Sequence, residues 1–329
     1  MKKKIILLLL IVVCLCGCEK QDTNTLNVLN WSSYIPDEVL IDFEKSSGIK
    51  LNYNTYSSNE ELLAKVIASS EGTYDLVFPS DYMIEVMIKR NLLEELDTSK
   101  LNNYTNINEH YLNQYFDTNN NYSLPFLLTM PVFAYNSKKV NTEINSYNDL
   151  LKEDFRDNIV LIDDQRIVIG MALMANGYDM NEIDKEKLDV AKEWLLKLKP
   201  NIKAYDSDSP KSFLITEEAD VGVMWNAEAA IAIEENPDIK VAYPSEGAAI
   251  SMDNFAILKG VKHKEEAYKF IDYILRGDVM KKIIESYPYK NLNKKTQSLL
   301  LSDYLDKGTY VKNIGSAIRN YDEIWTTIK

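Results

Sequence analysis

Aromatic, hydroxyl and acidic side chains recur where the predicted strands of this chain end. They are, in chain order, Trp31 and Tyr34, Ser80 and Tyr82, Asp164, and Trp225 with Glu228. In open α/β sheets the carboxyl ends of the strands form the edge at which ligands bind. The recurrence therefore predicts one shared cleft with aromatic walls and acidic groups.

These residue types could also support acid–base catalysis, but no catalytic arrangement stands out. The sequence has no Gly-x-Ser-x-Gly elbow, no glycine-rich phosphate loop and no His-Glu-x-x-His helix. His110 and His263 are the only histidines, too few for a triad and a histidine-rich metal site. The pairs Asp163-Asp164 and Glu217-Glu218 could be paired carboxylates, but adjacent acids are usually one site residue beside a solvated neighbour. The sequence predicts a binding protein without cofactor or metal, not an enzyme.

Strand and helix patterns alternate along the chain and must position these residues. Predicted strands cover 26–30, 49–53, 74–78, 158–162, 221–225 and 254–258, and one apolar strand with two prolines covers 124–135. Three predicted helices begin near Pro36, at Ser58 or Asn59, and at Ser80 or Asp81. A fourth predicted helix contains Met171, and further helices are predicted over 183–198, 227–235, 264–275 and 316–328. This order predicts α/β domains with largely parallel sheets.

Length and charge narrow the class of protein further. The 329 residues suffice for about two domains, and the formal net charge is −13. Nucleic acid needs basic surfaces and is therefore a poor partner. An acidic surface attracts cationic solutes, although acidity can also simply keep a protein soluble.

The N-terminus has the pattern of an export signal. Lys2, Lys3 and Lys4 precede an apolar run from Ile5 to Leu15, and Gly17 precedes Cys18. The run is shorter than the ~20 residues that a membrane-spanning helix needs. Resemblance to bacterial lipoproteins implies cleavage before Cys18 and acylation of its thiol, which would anchor the protein to a membrane outside the cytoplasm. An uncleaved anchor is the alternative.

Motifs along the whole predicted mature chain resemble the polyamine-binding proteins of bacterial ABC importers, most closely the spermidine/putrescine type. They are Leu-Asn-Trp-Ser-Ser-Tyr-Ile-Pro (29–36), Tyr-Asp-Leu-Val-Phe-Pro-Ser-Asp-Tyr (74–82), Asn-Asn-Asn-Tyr-Ser-Leu-Pro (119–125), Leu-Ile-Asp-Asp (161–164), Val-Met-Trp-Asn (223–226) and Ser-Met-Asp (251–253). The resemblance implies a polyamine ligand, ABC permease partners and, with the lipid anchor, a monomer tethered to the membrane.

The resemblance implies a two-domain, type II periplasmic-binding-protein-like fold with the ligand cleft between the domains. Residues 1–17 would be the signal peptide and 18–25 a tether. Domain 1 would comprise 26–131 and 253–297, and domain 2 would comprise 132–252 and 298–329.

Residues matching the family's motifs are expected to hold the ligand. Trp31, Tyr34, Tyr82, Trp225 and Tyr287 match its aromatic cage, Ser32 and Ser80 its hydroxyl positions, and Asp164 and Asp253 two of its amine-binding carboxylates. Glu228 matches an acidic position of putrescine-specific relatives, and Asp81 is a further candidate acid. Core packing could instead explain the aromatic residues, and helix capping could explain Asp164 and Asp81.

The chain departs from the family pattern at Ser33 and Ile167, where acids are expected, and at Ser251 and Val311, which replace a tryptophan and a glutamine. Putrescine and spermidine both stay open as ligands. The alternative is an extracytoplasmic binding protein or sensor for another small cationic solute.

Overall fold

The computed structural model describes residues 24–296 and 308–329, and places their strands in two separate sheets. The predicted signal segment and Cys18 lie outside the described residues. The strands are β1 (Thr25–Trp31), β2 (Lys50–Tyr56), β3 (Leu76–Val77), β4 (Leu124–Thr129), β5 (Pro131–Asn136), β6 (Ile159–Leu161), β7 (Ile202–Tyr205), β8 (Val221–Trp225), β9 (Ile239–Ala242), β10 (Ala249–Ile257), β11 (Lys290–Asn291) and β12 (Thr309–Tyr310).

Helices surround both sheets and mostly match the predicted segments. They are α1 (Asp37–Ser47), α2 (Asn59–Ala68), α3 (Asp81–Lys89), α4 (Gln165–Ala175), α5 (Lys185–Leu198), α6 (Lys211–Ile215), α7 (Asn226–Glu235), α8 (Lys264–Ile274), α9 (Gly277–Ser286) and α10 (Ile318–Ile328). Within 24–296 and 308–329, none of them has both the length and the apolar character needed to cross a membrane.

Each sheet mixes parallel and antiparallel strands. The first sheet has the order β11-β4-β10-β3-β1-β2, with β12 paired to β10, and the second has the order β7-β6-β8-β5-β9. Strand β10 runs antiparallel to β3 and β4, and β5 runs antiparallel to β8 and β9. The two-sheet α/β architecture confirms the predicted fold class, but the expected mainly parallel arrangement is wrong. Two neighbouring parallel strands need a crossover connection within one sheet. Strands β5 and β10 instead carry the chain from one sheet to the other.

The apolar segment predicted as one strand over 124–135 is two strands in different sheets. Strand β4 ends at Thr129 and β5 begins at Pro131, so a single residue, Met130, connects the sheets. The continuous apolar run hides this break because both strands are buried. The short connection brings strand ends of the two sheets close to each other.

Polar residues that follow strands occupy the N-cap positions of α2, α3 and α4. The Ser58 side chain accepts a hydrogen bond of 3.1 Å from the Glu61 backbone N–H and caps α2, as predicted. Asp164 caps α4 by accepting bonds from the backbone N–H groups of Arg166 at 2.8 Å and Ile167 at 3.1 Å. Ser80 occupies the N-cap of α3 without capping it. Its hydroxyl is therefore available for another partner.

Candidate functional site

A cavity lies between strand ends of the two sheets. Predicted ligand-binding residues from both sheets line it: Trp31, Ser32, Tyr34, Ser80, Tyr82, Asp164, Trp225 and Asp253. Trp31 ends β1 and Trp225 ends β8, while Asp253 belongs to β10. The structure thus brings together residues that are far apart in the sequence.

Asp253 is a buried carboxylate held by two hydroxyl groups. Its Oδ1 accepts a bond of 2.6 Å from Ser80 Oγ, and its Oδ2 accepts one from the Tyr34 hydroxyl. Its side chain points into the cavity beside an irregularity in the β10–β4 pairing, a feature that can redirect a side chain. Burial raises the pKa of Asp253 to about 6, although both hydroxyl donors oppose this shift. No cationic side chain among the described residues is bridged to it.

Aromatic rings cover the wall around Asp253. The Trp31 indole donates a bond of 2.8 Å to the Phe78 carbonyl, and its ring centroid lies 4.5 Å from that of Tyr56. The Tyr34 and Tyr289 centroids are 5.0 Å apart. Burial raises the pKa values of Tyr34, Tyr56 and Tyr289 well above the usual value, so these hydroxyls stay protonated and can donate. Such rings suit both methylene groups and cations.

Asp164 supplies the second carboxylate on the cavity wall. Both hydrogen bonds that cap α4 go to its Oδ1, so capping and a position in the cleft are combined in one side chain. Burial raises its pKa, and the two backbone donors and Arg166 oppose the increase. Glu60 lies close by and accepts a bond of 3.1 Å from the Tyr82 hydroxyl. Burial and the nearby Asp164 raise the pKa of Glu60 to about 7.

A buried arginine, Arg166, lies close to the carboxylates of Asp164 and Glu60. The Arg166 guanidinium lies 5.3 Å from the Tyr82 ring centroid and 5.2 Å from that of Tyr321. It donates a bond of 2.9 Å to the Lys312 carbonyl, and its Nε has no partner among the described residues. The guanidinium therefore offsets part of the negative charge of Asp164 and Glu60.

Three candidate residues lie off the cavity wall. Glu228 is buried and pairs with Lys211, whose Nζ is 2.7 Å from its Oε2. Tyr287 is half-buried, and burial raises the pKa of its hydroxyl while the Ser33 side chain opposes the increase. Asp81 is fully buried and accepts a bond of 2.9 Å from the Tyr82 backbone N–H. None of the three belongs to the residues that line the cavity in the described part of the chain.

Several wall residues were missed by the sequence reasoning. They are Tyr56, Ser57, Asn59, Thr129, Arg166, Ser207, Asp208 and Tyr289, and the departures Ile167, Ser251 and Val311 also line the cavity. Tyr56 pairs with Trp31 at the end of parallel strands, so the strand-end rule could have found it. Asp208 follows β7, a strand that was not predicted. Tyr289 is two residues beyond Tyr287, and spacing alone does not choose between them.

Within residues 24–296 and 308–329, no cluster of three or more histidine, cysteine, aspartate or glutamate side chains has a metal-binding arrangement. The cavity wall offers aromatic faces, hydroxyl groups and buried carboxylates. This combination can hold an apolar chain that carries positive charges.

Comparisons with known proteins agree with the fold and with a solute-binding protein. Residues 38–305 match the family model described as bacterial extracellular solute-binding protein. The spermidine/putrescine-binding periplasmic protein of Salmonella typhimurium is 35% identical over 328 aligned residues, which cover 96% of this chain and 94% of the relative.

Solved structures give the same result. A candidate spermidine/putrescine ABC transporter protein from Listeria monocytogenes has a TM-score of 0.89 at 31% identity and covers 93% of this chain and 98% of its own. The Tp0655 (TpPotD) lipoprotein of Treponema pallidum has a TM-score of 0.85 at 25% identity and covers 93% of this chain and 99% of its own. The matches confirm the predicted type II fold and a binding protein rather than an enzyme. The chain belongs to the bacterial extracellular solute-binding protein family.

Proposed function

We propose that this protein captures a polyamine, putrescine or spermidine, in the cleft and delivers it to the permease of an ABC importer. The observation that carries this proposal is the buried Asp253 carboxylate, held by Ser80 and Tyr34 beside aromatic rings. A buried carboxylate without a cationic partner is costly, and a ligand ammonium would provide that partner. Asp164 would meet a second ammonium, while Trp31 and Trp225 would pack on the methylene chain. The names of the relatives support the same ligand class.

Two lobes would close on the ligand. In this proposal they correspond to residues 26–131 with 253–297 and residues 132–252 with 298–329. A hydrogen bond of 3.1 Å from Ser57 Oγ to Asp208 Oδ1, at the cavity mouth, is one contact that closure would form. Opening at the permease would then break this contact and release the ligand.

Titration calorimetry with putrescine, spermidine and spermine tests the ligand. We expect at least one of them to bind with a micromolar or lower Kd, and 1,4-butanediol, which lacks the ammonium groups, not to bind. Asp253→Asn should abolish the heat of binding. Asp189→Asn is the matched control, because it removes an exposed carboxylate whose one ionic partner among the described residues is Lys185. Absence of binding by all three amines to a folded protein would contradict the proposal.

The anchor is a separate part of the proposal. Acylation of Cys18 would hold the monomeric receptor at the membrane, as the pattern of the N-terminal sequence indicates. Expression in a bacterial host with intact lipoprotein processing should send the protein into the detergent phase of Triton X-114, and Cys18→Ala should prevent this. An identical partition of both forms would contradict acylation without affecting the ligand assignment.

A further inference from the structure

An acidic groove adjoins the cavity at its mouth. Its carboxylates are Glu60, Glu61, Asp163, Asp206, Asp208 and Asp322, and we call it the outer groove. Ser57, Ser207 and Asp208 line both the cavity and the outer groove. A cation at the outer groove therefore lies beside the entrance to the proposed binding site.

The outer groove already holds an ammonium group of this chain. Lys329 Nζ lies 5.2 Å from the ring centroid of Tyr205 and 5.0 Å from that of Trp325. The two rings meet edge to face, with centroids 5.3 Å apart at 75°. The same ammonium is paired with Asp163. Two aromatic faces and one carboxylate around an alkylammonium are the chemistry that a free amine would need.

Unpaired polar atoms provide a second observation. The Tyr205 hydroxyl and the Ser207 hydroxyl are buried atoms without a hydrogen-bond partner in the described part of the chain. Both residues line the outer groove. Buried polar atoms without partners are uncommon and need an explanation. Displacement of Lys329 from the Tyr205 ring by an amine with several N–H donors would supply one.

We propose that the outer groove is a second ammonium-binding site, formed by Tyr205, Trp325 and Asp163, in which Lys329 occupies the place of an aliphatic polyamine. This inference rests on the proposed function, because it concerns the same ligand class. The Lys329 and Asp163 side chains are 36% and 40% exposed, and exposed ion pairs of this kind are weak. A polyamine carries further ammonium groups that the neighbouring acids Asp206 and Asp322 attract, so it displaces the single lysine.

Fluorine NMR of protein labelled with 5-fluorotryptophan separates the two sites. The chain has four tryptophans. Trp31 and Trp225 report on the cavity and Trp325 on the outer groove. Trp194, bonded to Asn148, is the internal reference. Titration with spermidine should move the Trp31 and Trp225 resonances first and the Trp325 resonance at higher concentration.

Variants assign the second response. Lys329→Met should tighten the Trp325 response about two- to fivefold, because a weak exposed competitor is removed. Asp163→Asn should weaken or abolish it. Lys187→Met is the matched control, since Lys187 also lies over a tyrosine, Tyr178, and pairs with a carboxylate, Glu182, away from the outer groove. It should leave the Trp325 response unchanged.

Each outcome has a distinct meaning. In Asp253→Asn, with the cavity disabled, Trp325 should still respond to spermidine. Loss of that response, or a Trp325 resonance that never moves while Trp31 and Trp225 shift, would overturn the second site and leave the proposed function intact. Stationary resonances for Trp31 and Trp225 in the wild type would instead contradict the proposed function.

Discussion

Ser80 Oγ donates a hydrogen bond of 2.6 Å to Asp253 Oδ1, across an isolated bridge between the start of α3 and strand β10. The serine occupies the N-cap position but uses its hydroxyl for the carboxylate instead of the helix. Helix α3 thereby lacks a capping hydrogen bond from Ser80, and the Asp253 carboxylate is held in one orientation in the cleft.

Ligand affinity should decrease in mildly acidic solution. The pKa of Asp253 in the ligand-free protein is raised to about 6, whereas an ammonium ligand requires the ionised carboxylate. Below pH 6 the proton must leave before the cation binds, so Kd should increase about tenfold per pH unit from this group alone. Calorimetry at pH 5, 6 and 7.5, in two buffers with different ionisation enthalpies, measures the affinity and the released proton.

We expect Glu60 to contribute to the same profile through its neighbour Asp164, because the pKa of Glu60 is raised to about 7. Glu60→Gln should remove the part of the pH dependence above pH 6 and keep the part below it. A wild-type affinity that is constant from pH 5 to 7.5 would contradict the role of Asp253 as the ammonium partner.

Asp253→Asn should stabilise the ligand-free protein while it abolishes binding. The folded-state pKa is about 6 and the ordinary aspartate value is 3.8, so the folded protein holds the proton more strongly. The free energy of unfolding then falls as pH rises from about 4 to 6 and stays lower above that range. Removing the charge should recover about 1–3 kcal/mol at pH 7.5, measured by urea denaturation.

The same variant should bind the amine at least about 30-fold more weakly. The stability difference between variant and wild type should shrink to below about 1 kcal/mol at pH 4 and disappear below the ordinary aspartate pKa of 3.8, where Asp253 is protonated in the folded and the unfolded protein. A variant that is less stable than wild type at pH 7.5 would show that the carboxylate is satisfied without a ligand.

Glu228→Gln should change stability more than binding. Glu228 pairs with Lys211 at 2.7 Å, and their side chains are only 3% and 18% exposed, so the substitution leaves a poorly solvated ammonium. Burial raises the pKa of Glu228 although Lys211 opposes the increase, so removing the charge offsets part of the lost ion pair. We expect a loss of only about 1 kcal/mol in the free energy of unfolding, with the Kd for putrescine changed less than about threefold. The double variant Glu228→Gln/Lys211→Met should recover part of the stability. A tenfold weaker affinity of the single variant would mean that Glu228 does contribute to ligand binding.

The sequence predicted the residues that end regular strands better than those that depend on tertiary packing. Trp31, Asp164 and Trp225 were found because the carboxyl ends of strands are visible as changes from apolar to polar residues. The break between β4 and β5 was not found because both strands are buried and apolar, and periodicity does not distinguish one buried strand from two.

The sequence also did not indicate which acidic residues are paired with a basic side chain in the fold. Glu228 follows β8 just as Asp164 follows β6, and sequence gives both the same appearance. Only the packing of α6 against α7, which brings Lys211 to Glu228, separates an acid with an internal partner from an acid that faces the cavity. The contact of Lys329 with Tyr205 is likewise one between residues far apart in the chain, whereas Trp325 lies only four residues before Lys329.

Ile167→Glu should shift the preference of the cleft towards longer amines. Ile167 lines the cavity at the position where the polyamine-binding family is expected to carry an acid, and it is three residues beyond Asp164. An added carboxylate there would pair with a third ammonium, which spermidine has and putrescine lacks. We expect the ratio of spermidine to putrescine affinity to rise about tenfold, the size of one additional charge-assisted contact.

Ile167→Gln is the matched control, because it has nearly the same shape as glutamate without the charge. It should leave the affinity ratio within about twofold of wild type. Both variants require a check by circular dichroism, since Ile167 is only 4% exposed and a buried carboxylate is costly without its ligand. For that reason spermidine should raise the Tm of Ile167→Glu by more than that of Ile167→Gln. Equal ligand-induced increases in Tm would mean that no third ammonium group reaches position 167. The cleft would then pair only two ammonium groups of the ligand with carboxylates, the last of them at Asp164.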